Sequence, residues 1–284
     1  MFAIPQDLVA ERVKQALEED IGSGDATSVA IVPDSILATA DMVARQPLRL
    51  CGLDIARAVF LQVSPGLHVS ERAKDGDQIA EKMILMSIQG SAAAILAAER
   101  TALNFVQHLS GIATKTASFC RAIQGTKARI LDTRKTTPGW RVFEKYATAC
   151  GGAINHRMGL HDQILIKDNH LAALRGEKPN PIEAAVRKAR ARFPSLKVEV
   201  EADTLSQVRQ AVEAGADIVL LDNMSPKEIK QAVDLIDGKA LAEASGGIQL
   251  ENIREIAETG VDFISVGALT HSAPSVDIAL DFQT

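Results

Sequence analysis

The chain has 284 residues, 46% hydrophobic and 24% charged, enough for one large α/β domain or a large and a small one. Its 31 basic and 36 acidic residues leave a formal charge of −5. That balance excludes the broad basic footprint of a nucleic-acid or anionic-membrane binder. Cys51, Cys120 and Cys150 follow no CxxC or metal-like spacing and read as reduced thiols. No basic leader precedes an apolar stretch, and no window holds the ~18 apolar residues of a membrane span. A soluble, cytoplasmic protein is expected.

Residues 7–20 place Leu8, Val9, Val13, Ala16 and Leu17 at helical spacing, and Gly22 and Gly24 end the helix. From 36 to 90, short apolar runs are separated by Ser64-Pro65-Gly66 and Asp75-Gly76-Asp77. This texture predicts antiparallel strands, with a helix over 53–62. Residues 91–121, rich in Ala and Leu, predict a long helix broken near Ser110-Gly111.

Beyond that point strand-like runs recur at 129–133, 163–167, 197–201, 217–222, 240–244 and 262–267. Helical stretches fill 140–150, 181–192, 204–214, 226–236 and 250–259. Regular alternation of this kind implies parallel strands with right-handed crossovers. No GxGxxG follows the first strand, so a (β/α) barrel with fewer than eight units fits better than a dinucleotide-binding sheet.

In such barrels the chemistry sits at the C-terminal strand ends. Here those ends read Asp132-Thr133-Arg134-Lys135, Lys167-Asp168-Asn169-His170, Asp222-Asn223, Glu243-Ala244-Ser245-Gly246-Gly247 and Ser265-Val266-Gly267-Ala268. The third strand carries Glu199 and Glu201 on one face, opposite Val198 and Val200. Asn155, His156 and Arg157 lie between the first two strands. The early loops are basic, the later ones acidic and then glycine-rich.

Arg forks would grip a substrate with more than one carboxylate. The acidic group would hold Mg²⁺ or face a cationic transition state, and the glycine loops would cradle a phosphate. Taken singly, Arg134-Lys135 also fits a solvated loop and Lys167-Asp168 a surface ion pair. Lys167 at a strand end further admits a Schiff-base aldolase, and a binding protein without turnover could keep the same pocket. Together the features describe ribosyl transfer to an acidic aromatic base.

These residues resemble a known family. EEDIGSGDATS (18–28), AERTALNFVQHLSGIAT (98–114), LDTRKTTPGWRVFEKYA (131–147), GGAINHRMGL (151–160), LIKDNH (165–170), VEVEA (198–202), LLDNM (220–224), EASGGI (243–248) and TGVDFISVGALTHS (259–272) are similar in order to the quinolinate phosphoribosyltransferase (decarboxylating) family. Ala153, Trp140 and Ala242 depart from its pattern without removing a charged site residue.

The resemblance implies a type II phosphoribosyltransferase-like α/β fold. An N-terminal α/β sandwich over 1–110, rejoined by 271–284, would pack against an incomplete (β/α) barrel over 111–270. It also implies a homodimer, or a multiple of one, in which Arg100 of one subunit reaches the other's site. Carried over, Arg100, Arg134, Lys135, His156, Arg157 and Lys167 would hold quinolinate, with Thr133 beside them. Glu201 and Asp222 would hold the ribose and Mg²⁺ of phosphoribosyl pyrophosphate, the metal directly or through substrate. Ser245, Gly246, Gly247, Ser265, Val266 and Gly267 would take its phosphate. Lys135, Glu201 and Asp222 are the expected catalytic residues.

Overall fold

The computed structural model describes residues 3–283. The chain opens with α1 (Gln6–Ile21), α2 (Ala26–Ile31), β1 (Leu37–Ala44), β2 (Leu48–Arg49) and α3 (Leu53–Val63). It continues through β3 (His68–Glu71), β4 (Gln78–Ile79), β5 (Ile84–Ser91) and α4 (Ala92–Ala122). Next come β6 (Arg129–Leu131), α5 (Arg141–Cys150), β7 (Ile164–Ile166), α6 (Asp168–Ala173), α7 (Pro181–Arg192), β8 (Val198–Ala202) and α8 (Leu205–Glu213). Then follow β9 (Ile218–Asp222), α9 (Pro226–Ile236), β10 (Leu241–Ser245), α10 (Ile253–Glu258), β11 (Phe263–Ser265), α11 (Ala268–His271) and β12 (Ile278–Phe282). Among the described residues no helix is long and apolar enough to cross a membrane.

The chain divides into two compact units. One holds the described residues up to Ala117, Val142–Gly152 and the residues from Ser272 onward; the other holds Ser118–Arg141 and Ala153–His271. The stretch 142–152, expected from sequence within the barrel, therefore groups with the first unit.

In the first unit β12-β1-β5-β3 form an antiparallel sheet. The C-terminal strand pairs with β1, Leu280 opposite Met42. Val9, Val13 and Leu17 of α1 are buried at i, i+4 and i+8, the spacing that gives a helix one apolar face. They belong to a core shared with Ile55, Val59 and Phe60 of α3, each burial contributing about 1.5–3 kcal/mol. Asp41 is buried within the sheet without being orphaned, because Ser87 Oγ (2.6 Å) and Gln283 Nε2 (2.7 Å) both donate to it.

The break expected at Ser110-Gly111 does not occur, and α4 runs through it. Ser110 Oγ accepts from Cys51 N–H (2.9 Å) and donates to Cys51 O (3.1 Å). A Cβ at Gly111 would run into the Pro274 carbonyl. The small pair marks a close backbone approach rather than a helix end.

The second unit holds a six-stranded, all-parallel sheet in the order β6-β11-β10-β9-β8-β7. Strands consecutive from β7 to β11 are neighbours, and the last pairs back with the first, Phe263 opposite Arg129. The seam between β6 and β7 stays open, with Ile154 bridging to Leu131 on the β6 side. This is an incomplete (β/α) barrel.

Side-chain alternation sorts its two faces. Val198, Val200, Ala202, Val219, Leu221, Ala242, Ala244 and Ile264 belong to one buried core with Val186, Val208, Ile229, Ile236 and Ile256 of the helices. The opposite face carries Glu199, Glu201, Asp222 and Glu243. Capping boxes Thr204/Gln207 and Ser225/Glu228 start α8 and α9, and Asn180 with Pro181 starts α7. They fix where each helix leaves its strand end. The short helix α6 has no counterpart in the sequence pattern. It begins at Asp168, so the KDNH segment is a helical turn, with Lys167 N–H donating to His170 Nδ1 at 2.9 Å.

Candidate active site

The strand ends of the second unit open into one cavity of about 680 Å³. It is lined by Thr133, Arg134, Lys135, His156, Arg157, Lys167, Glu201, Asp222, Ser245, Gly246, Gly247 and Ser265. Leu165, Asp168, Leu220, Asn223 and Glu243 complete the wall.

The basic side grows from the end of β6. Asp132 is fully buried. Its Oδ1 accepts His156 N–H (2.8 Å) and its Oδ2 accepts Asn155 Nδ2 (2.6 Å), fastening the second basic loop to the first. Thr133 Oγ1 accepts Lys135 N–H at 3.0 Å and turns the chain so that residues 133–135 reach the cavity. Arg141 ties this loop down, donating to Thr136 Oγ1 (3.0 Å) and Met158 O (3.1 Å). Arg134 Nε is buried with no hydrogen-bond partner, a cationic donor that the protein leaves unsatisfied. Arg157 donates from Nη1 to Gln163 O (3.1 Å). Burial first, and then the like charge of Arg134, pull its pKa down. An anion placed between the two guanidiniums relieves that repulsion.

The acidic side comes from β8 and β9. Glu201 is buried, and its Oε2 lies 2.5 Å from Lys167 Nζ. Burial, followed by the negative charge of Glu201, raises the Asp222 carboxyl above its ordinary range. Asn223 follows in the left-handed region (φ 53) and donates from Nδ2 to Asp222 Oδ2 at 2.6 Å. Gly246 packs against it (φ 92), and any Cβ there would collide with the Asn223 side chain. Among the described residues neither Gly246 nor Gly247 donates its N–H to a protein acceptor. Such a glycine turn offers donors to a phosphate.

At the cavity floor His156 Nε2 faces Glu199 Oε2 (3.2 Å) and Glu243 Oε1 (3.6 Å). The three have metal-ligand composition. However, His156 Nδ1 accepts Arg157 N–H at 2.7 Å, which puts the neutral ring's proton on Nε2, where a metal would need the lone pair.

Three expected residues do not join the wall. Val266 turns its side chain into the core and donates its N–H to Leu131 O (3.0 Å), a ladder bond that removes it from a phosphate cradle. Gly267 lies beside the Lys135 stem, where a Cβ would stand 2.9 Å from Cδ. Arg100 is exposed on α4 in the first unit. Glu199, Glu243, Asp132 and Asn223, strand and strand-end residues to which the sequence assigns no individual role, belong to the site or its supports. Strand alternation puts Glu199 on the face of Glu201, and Glu243 stands at a strand end, so both carry a signal. Nothing in the sequence marks Asp132 as an anchor. The aldolase alternative needs an unprotonated amine at Lys167, whereas that nitrogen is engaged as the cation of an ion pair.

The model of the quinolinate phosphoribosyl transferase N-terminal domain matches residues 25–110, and that of the C-terminal domain matches 112–281. The chain is 43% identical over 281 residues to the nicotinate-nucleotide pyrophosphorylase [carboxylating] of Mycobacterium leprae, covering 97% of each. It is 39% identical to the chloroplastic enzyme of that name from Arabidopsis thaliana, covering 96% of this chain and 82% of that one. The solved structure of the nicotinate-nucleotide pyrophosphorylase from Francisella tularensis superposes with a TM-score of 0.93 at 41% identity, over 99% of this chain and 98% of the other. The chain belongs to the quinolinate phosphoribosyltransferase family.

Proposed function

We propose that this chain transfers the phosphoribosyl group of phosphoribosyl pyrophosphate to quinolinate, releasing pyrophosphate and CO₂ and leaving nicotinate mononucleotide for NAD biosynthesis. One observation carries this reading: a single cavity sets Arg134, Lys135, Arg157 and Lys167 against Glu201 and Asp222, with a glycine turn at its edge. A dicarboxylate and a phosphorylated sugar fit that division of charge.

Arg134, Arg157, His156 and Lys167 orient quinolinate by its two carboxylates. The ring nitrogen forms a bond to the sugar C1 as the C1–O bond to pyrophosphate breaks. Glu201 and Asp222 hold the ribose hydroxyls and stabilise the positive charge that builds on the sugar. Lys135 reaches both substrates, and Ser245 with Gly246, Gly247 and Ser265 takes the 5′-phosphate. The ring nitrogen, now positive, accepts the electron pair of the C2–carboxylate bond, CO₂ leaves, and C2 takes a proton. Positioning and electrostatics supply the acceleration without a covalent protein intermediate.

Glu201 and Asp222 are hard oxygen donors, and burial followed by their crowded charge raises Asp222, a donor set that suits Mg²⁺, which with the sugar diphosphate would neutralise the leaving group. A homodimer in which Arg100 of one subunit completes the other's quinolinate pocket, working in the cytoplasm, belongs to the same reading. The test is release of labelled CO₂ from carboxyl-labelled quinolinate by purified protein with Mg²⁺ and phosphoribosyl pyrophosphate. Stoichiometric CO₂ and pyrophosphate are expected; release of neither rejects the assignment.

A further inference from the structure

Glu243 of β10 is fully buried, and neither of its carboxylate oxygens has a hydrogen-bond partner. Its Oε1 stands 3.6 Å from His156 Nε2. Glu199 of β8, equally buried, approaches the same nitrogen at 3.2 Å, accepts Gln163 Nε2 at 2.6 Å, and leaves Oε1 without a partner. Two carboxylates therefore flank one ring N–H, and the other ring nitrogen is already engaged by Arg157 N–H. Buried oxygens left this way are costly on an anion and far less so on a neutral acid.

We propose that Glu243, with Glu199, is a positioning residue that fixes the His156 imidazole at the cavity floor and sets the charge beneath the bound dicarboxylate. Burial, then the negative charge of Glu199, push the Glu243 carboxyl up to about 8, while His156 and the nearby Ser265 hydroxyl, whose hydrogen bond goes to Ala244 O (3.5 Å) and not to Glu243, pull the other way. Facing Glu243 are Glu199 from β8, His156 from the loop beyond the Ile154 bridge, and Ser265 from β11. Its register partners on β9 and β11 are Leu220 and Phe263, which do not titrate. With Glu243 neutral, the floor carries one negative charge, which His156 Nε2–H and Gln163 cover. With it ionised, a second uncompensated charge sits under a site built for a dianion.

The inference rests on the quinolinate reading, so its test measures quinolinate affinity across pH. For the wild type, KM for quinolinate should rise above about pH 8, by up to about tenfold per pH unit, while KM for the sugar diphosphate moves less. Glu243→Gln keeps the shape and removes the titration, so that alkaline rise should vanish. Its persistence in Glu243→Gln, or its absence from the wild type, overturns the proposal. Should the variant fail to fold, calorimetry on the wild type decides. Quinolinate binding in buffers of different ionisation enthalpy should take up about one proton at about pH 9 and none at about pH 6.5. No uptake at either pH rejects the idea. CO₂ release by the wild type tests the parent reading separately, so the two failures are distinguishable.

Discussion

Lys167 Nζ stands 2.5 Å from Glu201 Oε2, a half-exposed cation against a buried carboxylate. The two are assigned to different substrates, yet they neutralise each other in the free protein. Lys167→Ala would leave Glu201 unpaired beside Asp222 and turn the wall more negative toward a dianion. Losing a charge-assisted contact of about 1.5–3 kcal/mol should raise KM for quinolinate roughly 10- to 150-fold. Glu201→Gln frees Lys167, so it should lower kcat and weaken the sugar diphosphate while leaving quinolinate no weaker. Steady-state kinetics with each substrate varied separates the two. Equal changes in both KM values for either variant would reject the division of labour.

Arg134 and Arg157 should not tolerate lysine. Arg134 presents a buried Nε without a partner, and Arg157 is held by Gln163 O. A lysine restores charge but not the planar fork that meets a carboxylate with two donors. Each Arg→Lys change should cost about 1–3 kcal/mol of quinolinate binding, with kcat at saturation falling less. Direct titration with quinolinate reads this, and wild-type affinity in either variant would remove that residue from the clamp.

Asp132 should behave as an anchor for the neighbouring loop. Asp132→Asn keeps the volume but gives one arm a donor, which then opposes Asn155 Nδ2 or His156 N–H. The expected result is a loss of quinolinate affinity of about tenfold or more, with little change in affinity for the sugar diphosphate. A uniform loss on both substrates would mean the residue serves the fold and not the loop.

Much of this is legible in the sequence, and the limits have physical causes. The six parallel strands stand out because apolar runs bounded by polar strand ends recur between capped helices. The KVEVEA alternation puts Glu199 and Glu201 on one face, and both are buried on it. The Ser110-Gly111 pair misleads because local propensity cannot see Pro274, more than a hundred and fifty residues on, pressing against the helix. Val266 misleads because standing at a strand end does not say which way a residue points or whether its N–H is already in a ladder. Glu243 is visible at a strand end, but its lack of partners is a property of the packed barrel.

That lack of partners has a consequence for stability with a definite sign. The Glu243 pKa is raised from an ordinary 4.5 to about 8 by burial and by Glu199. Below about pH 4.5 both folded and unfolded chains hold the proton, and the contribution is fully present. As pH rises toward 8 the unfolded chain releases the proton while the folded one keeps it, so stability falls. Above 8 both are ionised and no further loss accrues. The cost at neutral to alkaline pH is on the order of a few kcal/mol, because each tenfold change in proton affinity corresponds to about 1.4 kcal/mol. Glu243→Gln carries no such proton. Its thermal midpoint should gain on the wild type between about pH 5 and about pH 8, by about 2–4 °C for each kcal/mol. Differential scanning calorimetry of both proteins across that range is the measurement, and two parallel midpoint curves would show that Glu243 is ionised in the folded barrel throughout.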